Sequence, residues 1–284
     1  MIFDEAVETA ARRVLTWSLD EDHARDDVTS RLAIPEDARG RFEVRNRNPG
    51  VVAGLQSVPI TLELLGADVQ CALHVEDGTR CVEPTVLATV EGRHRDLLAA
   101  ERTFLNLIGI LGGTATMTRR FVDAAGPDCT VLDTRKTWPG YRELQKYAVR
   151  CGGGRNHRPH LAGGVLLKDN HRRAGLDLDE LVRRARAEHG RLEVVVEVDS
   201  LEQLDRALDL DIDRVLLDNF GPKQVREARA LRDVRAVPVG LEVSGGVDLD
   251  TIGPLAAAGA EFASIGALTH SAPVWDVGLD DAVA

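Results

Sequence analysis

Six clusters of polar or small residues each fall directly after a short apolar run: Asp133-Thr134-Arg135-Lys136, Lys168-Asp169-Asn170, Glu197, Asp218-Asn219, Ser244-Gly245-Gly246 and Gly266-Ala267-Leu268. Their residue types suggest anion chemistry. Arg135, Lys136, Arg155, His157, Arg158, Lys168 and His171 form a basic set around a Gly152-Gly153-Gly154 turn. Arginine offers a planar fork to a carboxylate or phosphate, and lysine a point charge. Such a set is either an anion site or a solvated charged face. Glu197 and Asp218 suit a hard divalent cation that bridges to substrate phosphates; they could equally balance Lys168 or form an acid/base pair. The two small-residue turns could close backbone N–H groups on a phosphate, or could simply be turns that need glycine. No GxxxxGK[ST] occurs, so a Walker-type nucleotide site is not expected. His157-x-x-His160 lacks a third ligand at a defined spacing, which argues against zinc. Cys151 is expected to be a small buried thiol rather than a nucleophile, and Trp138 a packing residue or a pocket wall. No Ser–His–Asp arrangement is visible.

The elements that must hold these residues repeat. Apolar runs at Thr130–Leu132, Val165–Leu167, Val194–Val198, Val215–Leu217, Val239–Val243 and Phe262–Ile265 alternate with amphipathic stretches at Gly140–Val149, Leu178–Glu188, Leu201–Leu208, Lys223–Leu231 and Leu249–Ala258. Uninterrupted apolar strands are those of a parallel sheet buried on both faces. Every strand ends in polar or glycine residues, so an α/β barrel with all its ends at one mouth is favoured over a doubly wound sheet with one switch point. The first part of the chain is mixed α+β. A helix is read over residues 1 to about 25, broken by Asp26-Asp27-Val28-Thr29-Ser30. Strands are read at Arg41–Arg45, Val69–Val75 and Val86–Val90, and a helix at Val58–Leu65. Leu97–Ile110 is apolar on nearly every side and reads as a buried helix. Gly112-Gly113 after it would permit close packing or a kink.

Charge narrows the partners. The 284 residues carry a net charge of −11, and only four of the 35 basic residues are lysine. Residues 131–173 hold ten Lys+Arg against three Asp+Glu, a balance of +7, which leaves −18 on the remaining 241. A nucleic-acid binder would need a broad basic face, so no nucleic-acid partner is expected. No apolar run approaches the ~18–20 residues of a membrane span, so no membrane partner is expected either. The N-terminus carries no export signal, and four cysteines without a CxxC pair read as reduced thiols of a cytoplasmic protein. Lys146 and Lys223 are expected at the surface.

The stretches Asp133–Thr137, Tyr147–Arg158, Lys168–His171, Leu217–Asn219, Leu241–Gly246 and Ser264–His270 resemble the quinolinate phosphoribosyltransferase family. Gly50–Gly54, Ala100–Thr103 and Leu105-Asn106 extend the resemblance over nearly the whole chain. It implies an α/β fold, with an N-terminal α/β sandwich domain (1–108) followed by an open α/β barrel of phosphoribosyltransferase type II (109–284), whose C-terminal tail packs back on the first domain. It implies a homodimer that moves the ribosyl 5-phosphate of phosphoribosyl pyrophosphate onto the nitrogen of quinolinate. Pyrophosphate and CO2 are lost, and nicotinate mononucleotide forms for NAD biosynthesis. By resemblance, Arg135, His157, Arg158 and Lys168 bind quinolinate, Thr134 belongs to the substrate-binding residues, and Arg102 reaches into the partner's site. Lys136, Glu197 and Asp218 serve phosphoribosyl pyrophosphate and Mg²⁺. Ser244, Gly245, Gly246, Gly266, Ala267 and Leu268 cradle the 5-phosphate, and Lys136, Lys168, Glu197 and Asp218 form the catalytic set. Asp26, Ile110, Gly112, Trp138, Pro159-His160 and Gly163 depart from the family pattern around the site, not on its charged residues. Two rival enzymes are a paralogue that ribosylates another aromatic acid and a barrel lyase with Lys168 as Schiff-base amine. A non-catalytic anion binder fits least, because Glu197 and Asp218 would weaken it.

Overall fold

The computed structural model describes residues 3–168, 171, 177–190 and 192–282. Asp169 and Asn170, which complete the Lys168-Asp169-Asn170 motif, lie outside them, as do Arg172 and Arg173. The chain divides into two compact units. One comprises residues up to 119, 137–153 and those from 267 on; the other comprises 120–136 and 154–266.

The first unit is built on an antiparallel sheet. Strands β1 (Arg39–Asn46), β3 (Val69–Leu73), β5 (Val86–Arg93) and β12 (Val277–Asp281) run in the order β12-β1-β5-β3. The tail thus supplies an edge strand, with Val44 opposite Leu279. Strands β2 (Gly50–Val51) and β4 (Arg80–Cys81) pair separately. Helix α1 (Glu5–Glu21) buries Val7, Ala11, Val14 and Leu15 at helical spacing, and the Asp4 side chain caps it by accepting from the Val7 amide. The expected break at Asp26–Ser30 is instead a second start: Asp27 accepts from the Ser30 amide at 3.0 Å and caps α2 (Val28–Ala33). An acid before a helix reads as a breaker when its capping geometry is not visible. Helix α3 (Ser57–Leu65) follows expectation.

Helix α4 runs over 32 residues, His94–Ala125, well past Ile110, so the boundary expected after residue 108 falls inside a continuous helix. The two glycines lie inside the continuous helix and admit the tail. A Cβ at Gly112 would lie 2.4 Å from the Trp275 ring, and one at Gly113 2.0 Å from the Pro273 carbonyl oxygen. Trp275 then donates its backbone N–H to Gly109 and its ring N–H to Asn48. It joins Phe42, Val44, Leu87, Leu97, Phe104 and Ile108 in the core. Helix α5 (Arg142–Cys151) is buried on most sides, so Lys146 is only 2% exposed. The expectation that Lys146 lies at the surface is therefore wrong, because α5 is an interior helix rather than a covering one. Lys223, on α8 (Pro222–Arg235), is exposed as expected.

The second unit holds six parallel strands: β6 (Thr130–Leu132), β7 (Val165–Leu167), β8 (Val194–Val198), β9 (Arg214–Asp218), β10 (Gly240–Ser244) and β11 (Phe262–Ser264). Helices α6 (Leu178–His189), α7 (Leu201–Ala207), α8 and α9 (Ile252–Ala258) connect β7 through β11. The sheet order is β6-β11-β10-β9-β8-β7. Sequential neighbours run from the second strand to the sixth, and the first joins the far side of the last. That is a barrel order opened between its first and second strands, with no reversal of the doubly wound kind. Val194 to Val196, Val215, Leu217, Leu241 and Val243 are buried, as the unbroken apolar runs require.

Candidate functional site

The parallel register places Glu197 on β8, Asp218 on β9 and Ser244 on β10 at the same end of the sheet. Lys168 directly follows β7 and forms an ion pair with Glu197. Its backbone N–H donates to His171 Nδ1 at 2.9 Å. Burial first, and the Glu197 carboxylate second, hold the Asp218 carboxyl above its usual range, while Lys168 and Lys136 oppose them. Among the described residues no group of three or more His, Cys, Asp or Glu gathers with metal-holding geometry. What the chain offers a hard dication is the carboxylates of Glu197 and Asp218, which would rely on ligands from elsewhere.

Asp133 ends β6 fully buried. It accepts from Asn156 Nδ2 at 2.6 Å and from the His157 backbone N–H at 2.9 Å. Arg155 extends the sheet by donating its N–H to Val131. This docking carries His157 and Arg158 to the end of β6. Thr134 Oγ1 accepts from the Lys136 amide at 3.0 Å and tightens the Arg135-Lys136 turn. Arg158 donates to the Gly164 carbonyl at 2.8 Å. Desolvation, then the nearby Arg135 guanidinium, push Arg158 below its ordinary value. A desolvated guanidinium beside a second one is an arrangement that suits an anion.

His157 Nδ1 accepts from the Arg158 amide at 2.7 Å, which leaves the ring proton on Nε2, 3.6 Å from Glu242 Oε1. Glu242 is fully buried in the middle of β10. It accepts from the Ser264 hydroxyl and pairs with Arg214 at 3.2 Å; Arg214 also pairs with Glu193 and lies 4.4 Å over the Phe262 ring. Burial holds Glu242 above its ordinary range against the pull of Arg214. Neither Glu242 nor Arg214 is assigned a role from the sequence, although a charged residue inside an otherwise apolar parallel strand was the available signal.

Gly245 and Gly246 both have positive φ, +90° and +61°. A Cβ at Gly245 would lie 2.2 Å from Asn219 Oδ1, whereas at Gly246 nothing lies within 4 Å. Asn219, itself at φ +59°, donates its backbone N–H to Ser244 and its amide to Asp218 Oδ2. Gly266 closes this unit, and Ala267 and Leu268 begin the short helix α10 (Ala267–His270) of the other. In that same unit, Arg102 lies exposed on α4 beside Glu101, and Trp138 packs edge-on against Tyr141. Cys151 is buried, with its thiol pushed up to about 12 mainly by burial, as a structural thiol should be.

The quinolinate phosphoribosyl transferase N-terminal domain model matches residues 27–111, and the C-terminal domain model matches residues 114–280. The chain is 43% identical to a nicotinate-nucleotide pyrophosphorylase [carboxylating] of Mycobacterium leprae over 95% of its own length and 97% of that protein. It is 35% identical to a probable nicotinate-nucleotide pyrophosphorylase [carboxylating] of Bacillus subtilis, over 95% and 92% of the two chains. Among solved structures, it superposes on the nicotinate-nucleotide pyrophosphorylase of Francisella tularensis with a TM-score of 0.89, at 35% identity and 96% coverage of each chain.

Proposed function

The chain belongs to the quinolinate phosphoribosyl transferase family, and from that premise we infer that it converts quinolinate to nicotinate mononucleotide, the transfer that feeds NAD biosynthesis. It is a pentosyltransferase of the decarboxylating kind. The observation that carries this reading is the set of Lys168, Glu197 and Asp218 at parallel strand ends, with Lys168 ion-paired to Glu197, in the unit that also holds Arg135 and Arg158.

Quinolinate brings two carboxylates and a ring nitrogen with no proton to remove, so binding needs cations and no general base. Arg135, His157, Arg158 and Lys168, with Thr134 shaping the turn, are assigned to the two carboxylates. The nitrogen lone pair forms a bond to C1 of the ribose as the bond from C1 to pyrophosphate breaks. The ribosyl centre is then oxocarbenium-like, and leaving-group charge develops opposite Lys136. With the ring nitrogen positive, the bond to the 2-carboxylate breaks, its electron pair enters the ring, CO2 departs and a proton replaces it. Ser244, Gly245, Gly246, Gly266, Ala267 and Leu268 are assigned to the 5-phosphate. Glu197 and Asp218 would hold Mg²⁺, which when bound neutralises pyrophosphate charge.

A Schiff-base lyase is disfavoured because an ammonium paired with Glu197 is a poor carbonyl nucleophile. We further propose a cytoplasmic homodimer in which exposed Arg102 enters the partner's site; the free cysteines fit a reducing compartment. The test is incubation with Mg²⁺, phosphoribosyl pyrophosphate and either quinolinate or nicotinate, with products identified by mass. Nicotinate mononucleotide from quinolinate alone is expected; no product from either acid overturns the reading, and product from nicotinate points to the paralogue.

A further inference from the structure

Gln145 is the first residue of α5 to be buried without an apolar side chain, and its amide is used at both ends. Its Oε1 accepts from the Trp138 backbone N–H at 2.9 Å, and its Nε2 donates to the Thr269 carbonyl at 2.6 Å. It is 1% exposed, so these bonds do not exchange with water. The two segments it ties are close in sequence to two of the proposed anion-holding turns. Trp138 lies two residues after Lys136, and Thr269 lies three after Gly266. The Trp138 turn is also held by Arg142 Nε donating to Thr137 Oγ1, by Tyr141 N–H donating to the Trp138 carbonyl, and by Arg13 donating to Gly140. None of those bonds reaches the segment after β11.

We propose that Gln145 is a positioning residue for phosphoribosyl pyrophosphate: it sets the turn that follows Lys136 and the turn that follows Gly266 relative to each other, so that one ligand can be held by its pyrophosphate and its 5-phosphate at once. The proposal rests on the functional reading above. Its physical basis is preorganisation. A ligand gripped at both ends pays for any freedom left between the two grips, whereas quinolinate, which uses neither turn after Trp138 nor Thr269, does not. The amide at position 145 supplies an acceptor and a donor in these two places; leucine supplies neither, and an ionised glutamate turns its second oxygen against the Thr269 carbonyl.

The test measures phosphoribosyl pyrophosphate binding by calorimetry, and both KM values, for the full chain, Gln145→Leu and Gln145→Glu, with the unfolding midpoint of each. Gln145→Leu should weaken phosphoribosyl pyrophosphate about tenfold, the loss of roughly one well-made buried hydrogen bond's worth of preorganisation, with the quinolinate KM within about twofold. Gln145→Glu should behave like leucine at high pH. It should recover toward the wild-type value as the pH is lowered, because the protonated acid again offers one donor and one acceptor. An unchanged phosphoribosyl pyrophosphate affinity overturns the proposal. So does a rise of both KM values together in step with a falling midpoint, or a glutamate variant whose ratio to wild type is flat with pH. If the wild-type chain binds phosphoribosyl pyrophosphate but makes no nicotinate mononucleotide, the functional reading fails while the calorimetry still decides on Gln145.

Discussion

Alanine at Gly245 and alanine at Gly246 are the same chemical change one residue apart, and the structure predicts different costs. Both positions have positive φ, so each alanine pays about 1 kcal/mol for a left-handed backbone. At Gly246 that is all, because a Cβ there meets nothing. At Gly245 the new carbon lies 2.2 Å from Asn219 Oδ1 and 2.7 Å from Asn219 Cγ, and the backbone nitrogen of Asn219 lies 3.1 Å away, so the side chain must leave. It then loses its 2.9 Å donation to the Asp218 carboxylate. A hydrogen bond to a charged group is worth about 1.5–3 kcal/mol, and the exposure of this one argues for the lower end. Gly245→Ala should therefore cost about 2–3 kcal/mol and Gly246→Ala about 1, both read from urea unfolding with an unchanged m-value. Because Asn219 orients Asp218, Gly245→Ala should also raise the KM for phosphoribosyl pyrophosphate about tenfold, with a smaller rise for Gly246→Ala. Equal costs for the two variants, or a Gly245 variant with wild-type kinetics, would refute the link between the glycine turn and Asp218.

Three further outcomes are expected. Arg158→Ala should raise the quinolinate KM far more than that for phosphoribosyl pyrophosphate, by an amount on the order of 2–5 kcal/mol, the cost of removing one desolvated partner of a charged group; steady-state kinetics with each substrate varied in turn checks the split. Folding raises the proton affinity of Glu242 by burial. Stability from this group is therefore fully present below the unfolded glutamate value of 4.5, and is lost as the pH rises from there toward the higher folded value. The stability difference between wild type and Glu242→Gln, measured by urea unfolding at a series of pH values, should fall through that window; a difference that stays flat contradicts it. Cys129 and Cys151 are buried with thiols pushed up to about 11 and about 12 by burial. Maleimide labelling followed by peptide mapping should find them only after unfolding, and fast native labelling of Cys151 would reopen its reading as a nucleophile.

How much of this was legible in the sequence depended on whether the cause of each feature is local. Thr130–Leu132, Val165–Leu167 and Val194–Val198 appear with the bounds read from their apolar runs, because a parallel strand buried on both faces writes its burial into every residue. The candidate site residues were visible for the complementary reason: charge placed directly after such a run has no structural use in the core. What stayed hidden depends on residues far away in the chain. Gly112-Gly113 reads as a kink or a close contact, and only Pro273 and Trp275, some 160 residues later, decide for contact. Lys146 reads as a surface lysine because the scarcity of lysine marks a choice of residue type, not its depth; α5 buries it regardless.

The same distinction separates the two layers of the site. Arg135, Lys136, Lys168, Glu197 and Asp218 carry charge at strand ends, and each is recognisable alone. Gln145, Glu242, Arg214 and Asn156 act through what they touch. Asn156 holds Asp133, which takes the His157 amide; Glu242 meets His157 through Nε2; Gln145 joins two backbones 131 residues apart. A neutral amide inside a helix carries no sign of its partners, so composition and spacing cannot find it. Yet a buried amide whose donor and acceptor are both used tolerates fewer replacements than an exposed arginine, since each replacement leaves a backbone group unpaired. In the proposed reading, the strand-end charges select the ligands, and the residues behind them set how closely the binding groups are held to the geometry the reaction needs.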